Sequence, residues 1–332
     1  MPKRYKIAVI PGDGVGPEVM NTLLEILQVL NLPLDFEEFV IGEKQYLKSG
    51  TSLRDEDFEE LKKCDAILFG ALSTPSKDYP NYKSAILGLR KGLDLHANIR
   101  PIINKKKNID IYVFRENTED LYSQKEFFRK PGEEAVAEKI ITKQATEKIV
   151  DSAIDFFRKN KRKKMTIVHK ANVLRTSDGF FRDICREHLD KENIPYNEEY
   201  VDACAYKLIK FPENFDVIVT SNMYGDILSD LGGALVDNLG MLPSINKGEE
   251  HSLYEPVHGS APDIADKDIV NPYAMILCGA YMLSDLGFEK ESERIFKLID
   301  DFVEKDITAI SVGGKYKNSE IGDKFKEALK NK

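Results

Sequence analysis

Hydrophobic residues recur along the chain in two alternating patterns. Short runs rich in β-branched residues predict buried strands at residues 7–10, 66–70, 109–114, 165–169 and 216–220. Between these runs, apolar residues recur at the spacing of an amphipathic helix, as they do in residues 17–30 and in the set Ile149, Val150, Ala153, Ile154 and Phe157. The alternation of strands and helices predicts an α/β protein with a largely parallel sheet.

Composition does not divide this pattern into domains. The 332 residues suffice for two domains of about 150 residues each, but no repeat, low-complexity tract or Pro/Ser-rich linker separates them. No apolar run approaches the length of a membrane span, and the apolar run before the first Pro-Gly pair is too short for a signal peptide. We therefore expect a soluble, cytoplasmic protein.

Charge and cysteine content narrow the class of protein further. The net charge of −8 argues against nucleic acid as a main partner. Basic runs at residues 105–107 and 161–164 lie between predicted elements and are typical of solvated loops. The four cysteines are scattered without a C-x-x-C pair, which predicts neither a zinc site nor a disulfide framework.

A pair of acidic residues gives the first chemical signal. Asp226 and Asp230 follow the strand at residues 216–220 in a segment of helical pattern, so both carboxylates project from one face of the same helix. Such a pair is typical of a solvated face favoured by the helix dipole, but it also suits two ligands of Mg²⁺ or Mn²⁺. The spacing alone favours the solvated pair over the metal site, and the choice between the two depends on the rest of the chain.

Three arginines and a tyrosine form a second group. Arg90, Arg100 and Arg115 are each typical of a surface ion pair when taken singly. If they converge, their planar guanidinium groups suit a di- or tricarboxylate, which arginine binds in a bidentate manner. Arg115 follows the strand at residues 109–114, and Tyr122 comes seven residues later, which places them where open α/β sheets bind ligands.

Three further segments remain ambiguous on their own. Lys170 follows the strand at residues 165–169 and suits either a surface charge or a base with a lowered pKa. The stiff loop at residues 255–263 presents His258 and Asp263. The glycine-rich turn at residues 12–17 departs from G-x-G-x-x-G, because its third glycine comes one position early, so we expect a tight strand–helix turn instead of a Rossmann dinucleotide site.

Together these segments resemble the β-decarboxylating dehydrogenase family of isocitrate, 3-isopropylmalate and homoisocitrate dehydrogenases. The matching segments, in chain order, are IPGDGVGPEV, LRKGLDLHANIRP, RENTEDLY, HKANVLRTSDGFF, YVDACAYKLI, TSNMYGDILSDLGGAL and EPVHGSAPDIADKDIVNP. The resemblance implies a two-domain α/β fold different from the Rossmann fold. It places a larger, cofactor-side domain at residues 1–95 and 237–332, and a smaller domain at residues 96–236.

The resemblance also implies an assembly and a set of residue roles. The smaller domains would clasp into a homodimer with shared active sites, and whether dimers pair into tetramers stays open. Tyr122 would be the general acid, and Lys170 would be the general base, reaching across from the neighbouring subunit. The substrate carboxylates would bind Arg90, Arg100 and Arg115, and Mg²⁺ or Mn²⁺ would bind Asp226, Asp230 and the neighbour's Asp202.

The cofactor implied by the resemblance is NAD. A carboxylate at Asp263 would accept hydrogen bonds from the adenosine ribose and repel the 2′-phosphate of NADP. Asn172 would lie beside the nicotinamide end. The other residues implied in cofactor binding are Thr74, His258, Gly259, Ser260, Ala261 and Asn271.

The substrate depends on the turn before Arg90. Ser84 matches the serine of isocitrate enzymes, whereas Ile86 and Leu87 match the apolar pair of 3-isopropylmalate enzymes. Some homoisocitrate enzymes combine both features, and Lys83 would meet a distal carboxylate if it does not point to solvent. We expect homoisocitrate first, then 3-isopropylmalate, then isocitrate.

A non-catalytic role is the competing interpretation, since the family contains regulatory subunits that have lost active-site residues. The chain departs from its relatives at Asp237, Asn238, Asp266 and Ser311, none of which belongs to the catalytic set. It keeps the three arginines, Tyr122, Lys170 and the three aspartates. We therefore expect an enzyme acting on a small hydroxy-carboxylic acid.

Overall fold

A computed structural model describes residues 3–73, 79, 82–236 and 238–330 of the chain. The chain forms two compact units. Unit 1 consists of Met1–Leu93, Asp237–Ile245 and Glu249–Lys332, and unit 2 consists of Asp94–Val236 and Asn246–Gly248. The roles predicted for the two domains, cofactor binding for the larger and dimer formation for the smaller, remain predictions.

The elements follow the predicted alternation of strands and helices. The first part of unit 1 contains β1 (Tyr5–Gly12), α1 (Gly16–Val29), β2 (Leu34–Glu38), α2 (Glu43–Ser49), α3 (Asp55–Leu61), β3 (Ala66–Ala71) and α4 (Ala85–Gly92). Unit 2 begins with β4 (Ala97–Asn104), β5 (Ile109–Glu116), β6 (Glu126–Lys130), β7 (Glu134–Ala137), α5 (Lys143–Lys159) and β8 (Met165–His169). It continues with α6 (Ser177–Lys191), β9 (Tyr196–Tyr200), α7 (Val201–Lys210), β10 (Val217–Thr220) and α8 (Asn222–Leu235). The chain ends with β11 (Pro243–Lys247), β12 (Ser252–Pro256), α9 (Tyr273–Asp285), α10 (Glu289–Glu304) and α11 (Asn318–Lys330).

The sheet of unit 1 is parallel around β1. β1 pairs with β2 on one side and with β3 on the other, and β12 pairs with β3, all in parallel register. The strands predicted at residues 7–10 and 66–70 are therefore confirmed. Helix α1 buries one apolar face, which contains Val19, Met20, Leu23, Ile26 and Leu27, and so confirms the amphipathic pattern of residues 17–30.

The sheet of unit 2 has four parallel strands in the order β5, β10, β8, β9. Strand β4 pairs with the other side of β5 and runs antiparallel to it. The largely parallel α/β sheet predicted from the alternation is confirmed. Helices α5 and α6 cover one face of this sheet. Their shared core contains Phe114, Ile149, Val150, Ala153, Ile154, Met165, Ile167, Phe181, Cys185, Leu189, Val217 and Val219.

Strands β6 and β7 form a separate antiparallel hairpin. Every residue of β6 is exposed, and Phe127 and Phe128 expose 51% and 64% of their surface. This hairpin thus presents aromatic side chains to solvent in the single chain. Among the described residues, no helix is both long and apolar enough to cross a membrane.

Candidate active site

The carboxyl ends of three parallel strands place several of the predicted residues of unit 2 along one edge of the sheet. In the ladder, Thr220 at the end of β10 pairs with Arg115 of β5 and with Val168 of β8. Lys170 follows β8 directly, and α8 begins two residues after the end of β10. The sheet therefore places Arg115, the first turn of α8 and Lys170 along one edge, as expected of an open α/β sheet.

Arg115 is an almost fully buried charged side chain of this edge, with 1% of its surface exposed. Its Nε and Nη2 donate to Oδ1 of Asn222, at 3.0 and 2.8 Å, and its Nη1 pairs with Asp226. The guanidinium carbon lies 4.8 Å from the centre of the Tyr122 ring, which adds a cation–π contact. Helix α8 and the turn that carries Tyr122 thus both contact one buried arginine.

Gly225 allows α8 to approach Arg115. A Cβ atom at this position would lie 2.6 Å from both Cβ and Cγ of Arg115, closer than carbon atoms approach without strain. Any larger residue would therefore push the helix away from β5 and separate Asp226 from the guanidinium. Glycine is required here because α8 packs closely against Arg115 of β5, and not because the backbone turns.

Replacing Gly225 by alanine is expected to lower the free energy of unfolding by about 1–3 kcal/mol, as overpacking does in a well-packed interior. The helical Gly179 provides a matched control, because the nearest heavy atom to its added Cβ is 4.0 Å away. Urea unfolding of both alanine variants tests the difference. Equal stabilities would contradict the packing role given to Gly225.

Arg100 is the second buried arginine of unit 2. It lies on β4, where its Nε donates to Asn98 Oδ1 at 2.9 Å and its Nη1 donates to Ser229 Oγ at 2.6 Å. The same Nη1 lies 3.2 Å from Asp226 Oδ1 and 3.4 Å from Asp230 Oδ1. Asn98 is fixed in turn, since it donates to Asn246 Oδ1 at 2.8 Å. One guanidinium thus draws the two aspartates of α8 together.

Tyr122 lies in the short 3-10 turn Leu121–Ser123, and its hydroxyl donates to Asp226 Oδ2 at 2.5 Å. Burial raises the pKa of Tyr122 above its usual value, and the hydrogen bond to Asp226 raises it further, against the opposing effect of Arg115. The phenol is therefore held in its protonated form. A protonated hydroxyl beside the Arg115 guanidinium is suited to donate a proton to a developing anion.

Asp226 and Asp230 fit two donors of a hard cation. Both are carboxylates, the oxygen ligands that Mg²⁺ and Mn²⁺ prefer, and their side chains remain 33% and 54% exposed. Burial raises the pKa of Asp230, an effect that Arg100 opposes. Among the described residues of one chain, no group of three acidic, histidine or cysteine side chains is arranged to hold a metal ion.

The predicted base and the third predicted metal ligand lie in a second cluster. The ammonium group of Lys170 pairs with the carboxylate of Asp202, in the first turn of α7. The backbone N–H of Lys170 donates to Asp178 Oδ2 at 2.6 Å. The side chain of Asp202 is mostly exposed, and Asn172, two residues after Lys170, is exposed as well.

The acidic residues of the RENTED segment form a buried group for which the sequence predicts no role. Oε1 of Glu116 accepts from the backbone N–H and the hydroxyl of Thr118, both at 2.6 Å, and Oε1 of Glu119 accepts from the backbone N–H of Thr142 at 2.7 Å. Burial raises the pKa of Glu119 to about 7. These buried acids shape the loop before Tyr122. Their only signal in the sequence is an unusual density of acids directly after a strand.

The candidates for substrate selection lie in unit 1. Arg90 is buried at the end of α4 and pairs with Glu255 at 2.8 Å, while its Nε is buried without a hydrogen-bond partner among the described residues. Ser84, Ile86 and Leu87 are partly exposed around the start of α4, and Lys83 is exposed. The orphan N–H of Arg90 is suited to an anionic ligand.

The glycine-rich turn of unit 1 packs against the predicted cofactor loop. A Cβ atom on Gly14 would lie 1.9 Å from the carbonyl oxygen of Ser260, and the backbone N–H of Val15 donates to that oxygen at 2.9 Å. Gly14 also has a φ of +57°, which favours glycine. The tight strand–helix turn predicted at residues 12–17 is confirmed, and this close backbone approach explains Gly14.

The other predicted cofactor residues differ in exposure. Asp263 and Gly259 are exposed, Ala261 is partly exposed, and Asn271 is buried. His258 places its Nδ1 2.9 Å from the carbonyl oxygen of Gly259. Its Nε2 is buried and has no hydrogen-bond partner within the described part of the chain, and burial lowers the pKa of His258. Thr74 lies outside the described residues.

Comparison with known proteins identifies the family. The family model of isocitrate/isopropylmalate dehydrogenase matches residues 6–325. The chain is 41% identical to homoisocitrate dehydrogenase of Methanocaldococcus jannaschii, over 98% of each chain, and 41% identical to 3-isopropylmalate dehydrogenase of Archaeoglobus fulgidus, over 98% of this chain and 99% of that one. Among solved structures, isocitrate dehydrogenase from Methylococcus capsulatus matches with a TM-score of 0.92 at 35% identity, over 98% of this chain and 99% of that chain.

The three relatives bear different substrate names at nearly equal similarity, so the comparison does not separate the substrates. It does confirm the resemblance drawn from the motifs and the fold that the resemblance implied. All three are named as dehydrogenases of hydroxy acids. The chain belongs to the isocitrate/isopropylmalate dehydrogenase family of enzymes.

Proposed function

We propose that the protein oxidises and decarboxylates a 3-substituted malate, with NAD as the hydride acceptor and homoisocitrate as the preferred substrate. The observation that carries this proposal is the group formed by Arg100, Arg115, Tyr122, Asp226 and Asp230. It combines buried cations for carboxylates, a protonated phenol and two metal-binding carboxylates at one edge of a sheet. Family membership supports the same reaction.

The two buried guanidinium groups are proposed to bind the malate carboxylates. A buried cation requires an anionic partner, and in the free chain Asp226 and Asp230 provide part of that charge. A bound dicarboxylate would supply the same charge with bidentate geometry. This exchange would free the aspartate oxygens for a cation. Arg90, with its orphan Nε, is proposed as a third carboxylate ligand.

Proton movement is assigned to Lys170 and Tyr122. Lys170 would take the proton from the substrate hydroxyl while the hydride leaves for the nicotinamide. Loss of CO₂ from the resulting β-keto acid leaves an enolate, whose carbon would receive the proton of the Tyr122 hydroxyl. Mg²⁺ or Mn²⁺, held by Asp226, Asp230 and the neighbour's Asp202, would supply positive charge beside the reacting oxygen.

A homodimer formed through unit 2 is part of the proposal, since Lys170 and Asp202 are expected to serve the neighbour's site. The exposed apolar surface supports it. Among the described residues, ten of the fourteen exposed large hydrophobic side chains belong to unit 2. They include Phe127 and Phe128 of the hairpin, Tyr206 of α7 and Ile227 of α8. An excess of exposed large hydrophobic side chains on unit 2 supports an interface formed by that unit.

The test is NAD reduction by the purified protein with Mg²⁺, comparing kcat/KM for homoisocitrate, 3-isopropylmalate and isocitrate. We expect the highest value for homoisocitrate and a lower value with NADP, because Asp263 would repel the 2′-phosphate. A preference for 3-isopropylmalate would assign selection to Ile86 and Leu87 and replace the substrate proposed here. Turnover of none of the three acids would reject the catalytic role in favour of a regulatory one.

A further inference from the structure

Lys139 is a partly buried cation of unit 2 that the proposed reaction does not use. It follows β7, and only 12% of its side chain is exposed. Its Nζ lies 2.9 Å from Asp178 Oδ1 and 3.5 Å from Asp120 Oδ2, and it donates to Ser221 Oγ at 3.3 Å. It also lies 4.0 Å from the centre of the Tyr224 ring. One ammonium group therefore contacts three separate parts of the fold.

We propose that Lys139 is a positioning residue that holds the turn of the acid Tyr122 and the turn of the base Lys170 in place from a single point. This inference rests on the proposed function for the roles of Tyr122 and Lys170. The geometry that carries it does not depend on those roles. Lys139 itself is not expected to contact the substrate.

The link to the base runs through Asp178, in the first turn of α6. Its Oδ1 faces Lys139, and its Oδ2 accepts the backbone N–H of Lys170 at 2.6 Å. The carboxylate is almost fully buried, with 2% of its side chain exposed. Because one oxygen holds the cation and the other holds the backbone of Lys170, the position of that backbone depends on the ion pair.

The link to the acid runs through Asp120, which precedes the turn of Tyr122. Its Oδ1 accepts the backbone N–H of Leu121 at 2.8 Å, and its Oδ2 accepts the backbone N–H of Met223 at 3.1 Å. The same Oδ2 faces Lys139, and the side chain of Asp120 is fully buried. Asp120 thus joins the turn of Tyr122 to the start of α8, the helix that carries Asp226.

Removal of the cation would leave Asp120 and Asp178 as two buried carboxylates without their shared counter-charge. A buried charge that loses its partner is costly, and the structure relaxes by admitting water or shifting the group. Both relaxations weaken the hydrogen bonds to the backbone of Lys170 and Met223. The expected defect is therefore local and lies at the acid and the base together.

The test compares Lys139→Met with Lys139→Arg and with the control Lys143→Met, whose side chain is 67% exposed at the start of α5. We expect Lys139→Met to lower kcat by about 100-fold, as small misplacements of catalytic groups do, with KM changed by less than about threefold. Lys139→Arg should retain most of the activity, and Lys143→Met all of it. Lys139→Gln, which keeps a hydrogen-bond donor without the charge, provides a second variant if the methionine protein does not fold.

Hydrogen exchange provides a readout that is independent of activity. In Lys139→Met the amides of Lys170 and Met223 should exchange at least about tenfold faster, while the amide of Val219 in β10 keeps its protection. Unchanged exchange at Lys170 and Met223, faster exchange throughout the sheet, or a normal kcat despite local loosening would each overturn the proposal. If the wild-type protein turns over none of the three acids, the proposed function fails, and the exchange data still decide whether Lys139 holds the two backbone groups.

Discussion

Replacing Tyr122 by phenylalanine is expected to lower kcat by about 10²- to 10⁴-fold, the usual contribution of a positioned acid or base. The ring and its contact with Arg115 survive in this variant, so binding of the hydroxy acid should be retained. Only the hydroxyl that donates to Asp226 is lost. Without it, the enolate carbon left by decarboxylation has no positioned proton donor. Steady-state NAD reduction and equilibrium dialysis of the substrate measure the two effects separately.

Tyr5→Phe provides the control for loss of a phenol hydroxyl. Tyr5 lies at the start of β1 in unit 1, where its ring packs edge-on against Phe288. This variant should keep the wild-type kcat. Turnover of Tyr122→Phe at the wild-type rate would overturn the assignment of Tyr122 as the acid, and a loss of substrate binding would give the hydroxyl a binding role instead.

Lys170→Ala should lower kcat by a similar factor, about 10²- to 10⁴-fold, because no other group is proposed to take the hydroxyl proton. The informative experiment combines it with Tyr122→Phe. If Lys170 serves the neighbour's site, a heterodimer of the two variants holds one site that lacks both groups and one site that is complete. Heterodimers purified through two different tags should then show about half of the wild-type activity, as two-fold symmetry with shared sites requires.

The alternative arrangement gives a different result. If Lys170 acts in the site of its own chain, each site of the heterodimer lacks one catalytic group, and activity stays at the level of the single variants. A protein that forms no heterodimer would contradict the proposed dimer itself. Lys159→Ala, at the exposed end of α5, serves as the control for removal of a lysine side chain and should leave activity unchanged.

Sequence patterning predicted the buried parallel strands well because their side chains point into a core on both faces. The strand expected at residues 165–169 coincides with β8, and all five of its residues are buried. Strand β4 was not predicted, since Arg100 and Pro101 interrupt its apolar run. Pro101 nevertheless pairs opposite Tyr112 in the antiparallel ladder with β5. A proline within a strand weakens the sequence signal, because proline removes a backbone donor.

The candidate site was predictable as a set of residue types but not as a network. Spacing placed Asp226 and Asp230 on one helical face, and both now lie beside Arg100. The sequence could not indicate that Glu119 is buried and Lys139 partly buried, since charged residues are usually exposed unless tertiary contacts pair them. Those contacts form only after distant segments fold together. The contacts that position the candidate site residues were therefore visible only in the structure.

The order of the segments along the chain has a consequence for biosynthesis. Unit 2 is almost entirely one continuous stretch, Asp94–Val236, whereas unit 1 joins segments from both ends of the chain. During translation β3 emerges early, but its partner β12 is among the last strands to be made. Unit 2 is therefore able to fold on the ribosome while the edge of β3 that pairs with β12 is still unpaired.

The hydrogen bonds of Asn246 within unit 2 also form only late in synthesis. The side-chain oxygen of Asn246 accepts from Asn98, which in turn accepts from Arg100, and Asn246 also accepts from Asn117. Asn246 is translated after the continuous stretch Asp94–Val236, so a nascent chain that ends at Val236 lacks this support for Arg100. The hydrogen-bond network that fixes Arg100 is therefore completed late in synthesis.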